Sequence, residues 1–413
     1  MRVGTKILAL AAGVATATAL AACAPSEDDA EADGGSESGG ESGSGGGEAT
    51  GDPVPVALIT STTGPLAAYG EAFVDGFEAG LDYATDGTGV AGGHEIEVEI
   101  LDDAGVVDTA LGHTRDVIGA GTQIITGTAS SGIALALAEQ AEQNQILYVS
   151  GPAAADPVTG INEYTFRSGR QSLQDVATAG QFTDVDGQTV VVLAQDNAFG
   201  QGNVAAVAAV LGEQGAEVVP VLVPEDVTEF TPFTTQIQGE EPNMVFVAWA
   251  GATSGAMWQS LSQQGVLEST TVVTGLGDVS TYNAFGDGSG EIDFLNHYFA
   301  GAGGNDIEAA MIEHVEAAGG TVDLFTPDGF TAAQMIVQAI EEGAADDVDA
   351  MVSALEGWEF EGPKGDYSIR PEDHALLQPM FHAHLVDQDG EWVPELVDTI
   401  SAEDAAPPVA EGS

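Results

Sequence analysis

The strongest constraint on this chain is an alternation of short apolar runs with longer segments that are apolar on one face. VPVALI at 54–59 reads as a buried strand, and the segment after it carries Phe73, Phe77, Leu81 and Ala84 on one helical face. HEIEVEIL at 94–101 alternates at period two and runs into Asp102 and Asp103. A helix around Arg115, a strand at 123–126, a helix from Ser131 and a strand at 146–149 continue the series. Such a series implies a parallel sheet with helices on both faces. After Arg167-Ser-Gly-Arg170 a second series begins, with strands at 189–194, 218–223, 244–248 and 271–274. Helices at 202–211, 230–237 and 253–264 lie between them. Residues 304–355 are mostly helical in pattern, and 379–392 reads as a hairpin turning at Gln388-Asp-Gly390. The expected fold class is therefore α/β, as two doubly wound lobes. Ligands of such sheets bind beyond the carboxyl ends of the strands, so facing lobes place those ends on two sides of one cleft.

Charge narrows the setting. Against 7 Lys and Arg stand 66 Asp and Glu, a formal charge of −59, while 44% of the residues are hydrophobic. The apolar content supplies real cores, and the acidity excludes nucleic-acid binding, which needs a basic stripe. Self-repulsion at this density destabilises a compact state unless salt screens it, and the Debye length falls to about 3 Å at 1 M salt. A habitat of high ionic strength is the expectation.

The first residues have the pattern of an export signal. Arg2 and Lys6 precede an apolar stretch at 7–22, and Leu20-Ala-Ala-Cys23 follows. The stretch is short for a membrane span, and the four residues resemble a bacterial lipobox. That implies a signal peptide at 1–22, lipidation of Cys23, and anchorage on the outer face of the cytoplasmic membrane. Cys23 is the single cysteine, so no intrachain disulfide forms. Residues 23–52, mostly Gly, Ser and acid, are expected to be a disordered tether, and 399–413 a disordered tail.

The loop GTASSG at 127–132 joins a strand to a helix, and its small hydroxylated residues admit three roles. It could cap the helix, cradle an anion, or carry a nucleophilic serine. It is not a GxSxG elbow, and no His–Asp pattern accompanies it. Free N–H groups and the positive end of the helix dipole converge there, and small residues allow close approach, which favours a carboxylate cradle.

In order and spacing, several segments resemble the leucine/isoleucine/valine-binding family, the type I fold of ABC-transporter substrate-binding proteins. They are GPLAAYG at 64–70, the 126–136 stretch, VSGPAAADP at 149–157, QDNAFG at 195–200 and GPKGDYSIRPEDH at 362–374. The resemblance implies a three-segment hinge, with crossings near 168–173, 300–304 and 357–362. Lobe one is then 53–170 plus 301–356, and lobe two 171–300 plus 357–398. Arg167 and Arg170, at the first crossing, and Lys364 and Arg370, just after the third, are expected to form ion pairs that hold the hinge. For the ligand, the family implies contacts from Tyr69, Ser130, Ser131, Gly132, Ala153, Ala154 and Ala155 in lobe one. Phe199, Trp249 and Asp278 face them from lobe two.

The sequence departs from the amino-acid pattern at three of these places. Ala155 or a neighbour stands where the family offers a threonine, and Phe199 replaces a tyrosine. Gly277 occupies the position of the ammonium-binding glutamate, leaving Asp278 one residue late. An ammonium in a closed cleft needs an oxygen cage; without one, short-chain or aromatic carboxylates and amides enter as ligands. The resemblance implies a non-enzymatic, monomeric ABC-importer lipoprotein that captures a hydrophobic amino acid or related carboxylate by hinge closure, with permease subunits as partners. A ligand-sensing receptor of the same fold and an envelope hydrolase are the alternatives. The hydrolase reading leans on His382 and His384, which share one face of a strand, with Asp373 or His374 imagined as a further ligand. Spaced histidines on a solvent-facing strand are commonly incidental, so neither metal nor cofactor is assigned.

Overall fold

The computed structural model describes residues 49–182, 184–275 and 277–410. The expected signal segment, Cys23 and nearly all of the tether lie outside the described residues. The chain is tied down from residue 50, where the Thr50 and Gly51 N–H groups donate to the Gly93 carbonyl at 2.8 and 3.0 Å.

Lobe one begins with strand β1 (Val54–Thr60), helix α1 (Ala67–Ala84), β2 (Val90–Ala91), β3 (His94–Asp102) and α2 (Val107–Ala120). It continues through β4 (Ile124–Gly127), α3 (Ser131–Asn144), β5 (Leu147–Ser150) and β6 (Thr165–Arg167). The sheet order is β2-β3-β1-β4-β5-β6, with β1 parallel to both β3 and β4. Leu58 and Ile59 are fully buried, as both faces of a helix-covered parallel sheet demand. After β1 the chain pairs β3 on one side and returns to pair β4 on the other. The loops leaving β1 and β4 therefore diverge and open a crevice at their carboxyl ends.

Lobe two follows the first crossing with α4 (Ser172–Phe182), β7 (Thr189–Gln195), α5 (Ala198–Val210), β8 (Glu217–Val223), α6 (Thr231–Gly239) and β9 (Met244–Ala248). Then come α7 (Ser254–Gln263), α8 (Val266–Ser269), β10 (Thr271–Gly275) and β11 (Ile292–Asn296). Helices α9 (Asp306–Ala318), α10 (Thr326–Gln338) and α11 (Val348–Leu355) carry the chain back, and α10 packs along α1 of lobe one. A small antiparallel sheet of β12 (Glu359–Gly362), β13 (Gly365–Ile369) and β14 (Leu376–Leu377) comes next. Finally the hairpin β15 (Met380–Gln388) and β16 (Glu391–Ile400) joins lobe two, whose sheet order is β16-β15-β11-β10-β9-β7-β8. Its switch point lies between β7 and β9. The hairpin turns at Asp389 and Gly390, both with positive φ, as a two-residue turn requires.

Two expectations are corrected. The third crossing lies at about residue 378, not near 357–362, because Tyr367, Ile369 and Leu376 are buried in the lobe-one core. Segment 357–377 therefore belongs to lobe one, where Trp358 and Phe360 stack at 3.8 Å against that core. The tail from 399 is also held as far as residue 410. Ala405 is fully buried, Arg370 donates to the Pro407 and Pro408 carbonyls, and the Ala410 N–H donates to Asp373.

Candidate ligand-binding cleft

The cradle loop is fixed from below. A β-carbon at Gly127 would lie 1.9 Å from the Ile59 carbonyl oxygen, so only glycine lets β4 end this close to β1. Buried Asp103, at the end of β3, accepts from the Ser61 hydroxyl at 2.5 Å and the Thr128 hydroxyl at 2.6 Å. The Tyr148 hydroxyl donates to the Gly127 carbonyl at 2.8 Å. Three strands thus clamp one loop.

Ser130 sits at the N-cap of α3, yet its side chain makes no capping bond. The plain-cap role for GTASSG is therefore absent. The first helical N–H groups, at Ser131 and Gly132, border the cavity with no intrahelical partner available to them. Ser131 is buried at 4% exposure, and its Oγ has no hydrogen-bond partner in the protein. A buried hydroxyl beside unpaired amides is a donor set suited to a carboxylate.

The cavity beside this loop has a volume of about 350 Å³, within the range of small-ligand sites. Of the residues expected to contact a ligand, Tyr69, Ser130, Ser131, Gly132, Ala154, Phe199 and Trp249 line it. Ala153 and Ala155 do not. Their methyl groups pack with Ala134 and Val158 behind the loop, since neighbouring residues of an extended segment point to opposite sides. Asp278 does not line it either. It opens a 3₁₀ segment and accepts from the Ser280 hydroxyl, and its charge still reaches Tyr69, whose phenol is pushed up mainly by burial and then by Asp278. The absence of Asp278 from the lining is the structural counterpart of the one-residue displacement read in the sequence.

Sequence reasoning placed Arg170 at the hinge but missed Asp175 and His297, which the fold brings to it at the cavity. Arg170, Asp175 and His297 all line the cavity. Arg170 Nε lies 3.3 Å from Asp175 Oδ2, while its Nη1 donates to the Pro152 carbonyl at 2.7 Å. Asp175 Oδ1 and His297 Nε2 have no hydrogen-bond partner. Burial, then the nearby Arg170 and Lys364, hold His297 well below its ordinary value. Its ring stacks on Phe325 at 4.8 Å, and Tyr69 meets Phe325 edge-on at 4.9 Å, giving the cleft an aromatic floor. The Trp249 N–H is committed to Thr253 at 3.1 Å, which leaves the indole body for apolar contact.

The other cations differ from the expected hinge ion pairs. Arg167, 1% exposed, donates to the carbonyls of Ala153, Ala155 and Arg170 and to the Thr159 hydroxyl, with no carboxylate within ion-pair distance among the described residues. It holds the 153–155 loop by its carbonyls instead. Lys364 donates to Gln378 at 2.6 Å, and burial lowers it to about 7. Arg370 forms a two-pronged pair with Asp373. Of the two arginines expected to pair at the first crossing, Arg170 alone does so.

Two sheets of opposed switch points, joined by three crossings around one cavity, define a known architecture. The model of the family described as periplasmic binding protein matches residues 53–391. The chain belongs to the periplasmic binding protein family. Among its solved relatives is an ABC-type branched-chain amino acid transporter from Rhodopseudomonas palustris, 31% identical, with a TM-score of 0.74. That match covers 87% of this chain and all of the other. A solute-binding protein from R. palustris in complex with 4-hydroxybenzoate shares the fold at a TM-score of 0.77 and 20% identity, covering 85% and 97% of the two chains. The Leu/Ile/Val-binding protein BraC3 of Rhizobium johnstonii is 26% identical over 309 residues, 73% of this chain and 83% of that one. Among the described residues of this family member, no helix is long and apolar enough to cross a membrane.

Proposed function

We propose that this chain is the extracytoplasmic solute-binding component of an ABC importer and captures a small hydrophobic carboxylate by closure of its two lobes. The observation that carries this reading is the orphaned Ser131 hydroxyl beside the open N-terminus of α3, at the wall of an aromatic cavity between the lobes. A carboxylate seated there satisfies donors that otherwise stay unpaired, and a charge-assisted hydrogen bond contributes about 1.5–3 kcal/mol. The ligand meets one lobe first, and contacts from Phe199, Trp249 and Ala250 on the other stabilise the closed form. Permease subunits read that closed form. Lipidation at Cys23 tethers a monomer to the outer face of the membrane, and the acidic surface suits a medium of high salt.

The acids near the cavity argue for a ligand without an amine. Asp175 faces Arg170, Glu225 accepts from Asn197 at 2.6 Å, and Asp278 stands outside the lining. One observation favours a branched-chain amino acid instead: Asp175 Oδ1 is buried and unpartnered, a position where an ammonium group could sit. A calorimetric titration in molar salt with leucine, 4-methylpentanoate, benzoate and 4-hydroxybenzoate separates the two. Binding of the amine-free acids with weaker binding of leucine supports the first reading. Binding of leucine alone establishes the second, and binding of none of the four removes the carboxylate assignment.

A further inference from the structure

In the second lobe, strand β11 runs antiparallel to β15, with Phe294 opposite Ala383 and Leu295 opposite His382. The same ladder brings Asp293 level with His384. Phe294 and Ala383 are buried in the core on one face, so Asp293, His382 and His384 share the other. Their ligating atoms all lie within 4.8 Å of one another. Asp293 Oδ1 is 3.2 Å from His382 Nε2 and 3.7 Å from His384 Nε2. His374, imagined from the sequence as a companion ligand, is elsewhere: its ring stacks on Phe166 at 3.9 Å in lobe one.

We propose that Asp293, His382 and His384 bind one divalent transition-metal ion of the zinc, cobalt or nickel kind. Three features support it. Metal–ligand bonds of about 2.0–2.1 Å in a tetrahedron place neighbouring ligand atoms about 3.3–3.4 Å apart, close to the separations from Asp293. His384 Nδ1 lies 3.3 Å from the Ile292 carbonyl oxygen, a contact that orients the ring so that Nε2 is the nitrogen facing the Asp293 carboxylate, as the outer hydrogen bond of a metal-binding histidine does. The side chains of His384 and Asp293 are 40% and 31% exposed, which leaves an entry path and a solvent-filled position. Two imidazoles and one carboxylate select transition metals over magnesium and calcium. Bound there, the ion staples β15 to β11 within the second lobe, and none of its three ligands lines the ligand cavity.

The test uses the full chain after chelator treatment, in 1 M NaCl, where loose association of divalent ions with the acidic surface is screened. Uptake of one equivalent of Co²⁺ with the absorption bands of a low-coordinate nitrogen-ligated ion is expected, together with a rise in the thermal midpoint on adding Zn²⁺ but not Mg²⁺. His384→Ala, on a half-exposed strand position, should fold and lose at least tenfold in Co²⁺ affinity, as should Asp293→Asn. No uptake by the parent, or equal uptake by parent and both variants, would overturn the assignment. Affinity for the ligand of the cleft stays unchanged in His384→Ala.

Discussion

Gly251 of the second lobe and Pro65 of the first meet across the mouth of the cleft, where a β-carbon on Gly251 would lie 2.9 Å from the Pro65 carbonyl oxygen. The two lobes therefore approach through bare backbone. A side chain at this point holds the lobes apart, so Gly251→Ala should weaken ligand binding at least threefold by titration calorimetry. Alanine at φ +83° is also strained, by about 1–2 kcal/mol. Gly390→Ala supplies the control, since Gly390 has φ +94° with nothing near its missing β-carbon. It should lower stability similarly and leave affinity intact. Equal affinity in the two variants contradicts closure through this contact.

Ser131→Ala separates binding from folding. The hydroxyl it removes has no partner in the protein, so the unliganded thermal midpoint should hold or rise slightly. Affinity for a carboxylate ligand should fall about 10- to 100-fold, the equivalent of one charge-assisted hydrogen bond. A large loss of stability, or an unchanged affinity, argues that the hydroxyl serves the fold.

Arg167 has the opposite character. Its guanidinium satisfies three carbonyls and a hydroxyl in the interior, and burial lowers it to about 10 with the Asp156 charge opposing. Arg167→Met leaves those oxygens without donors, and urea unfolding should show a loss of at least about 3 kcal/mol. A loss below about 1 kcal/mol would show that the 153–155 loop stands without it.

Much of this was legible in the sequence, for physical reasons that differ from place to place. The cradle could be read because an apolar strand, a glycine where two strands nearly touch, and a helix start all lie within one short stretch, 123–133. Strand β11 could not, because IDFLN is short, carries two polar residues and follows a glycine-rich run. With it went the placement of Asp293 and His297. The facing of Arg170, Asp175 and His297 depends on crossings far apart in the chain, and no local period encodes it. Segment 357–377 was assigned to the wrong lobe because its apolar residues, Tyr367, Ile369 and Leu376, show that they are core but not whose core.

Asp328 makes stability depend on pH. It is 1% exposed, and burial raises it to about 7 against the pull of Lys364 and Arg170. A carboxyl whose folded value exceeds its unfolded value of about 3.9 binds its proton more tightly when folded. Its contribution is fully present below about pH 4 and is lost as pH rises through about 7. Asp328→Asn cannot ionise, so its unfolding free energy relative to the parent should improve by at least about 1 kcal/mol from about pH 5 to about pH 8. Urea melts at the two pH values read this directly, and a constant difference between the proteins contradicts it.

The most direct measurement is a crystal structure of the chain with the tightest binder from the carboxylate panel. The account predicts the ligand enclosed between the lobes, its carboxylate within hydrogen-bond distance of Ser131 Oγ and the Ser131 and Gly132 N–H groups, its apolar part against Phe199 and Trp249. A carboxylate turned away from that helix start, or a ligand bound outside the cleft, would contradict it.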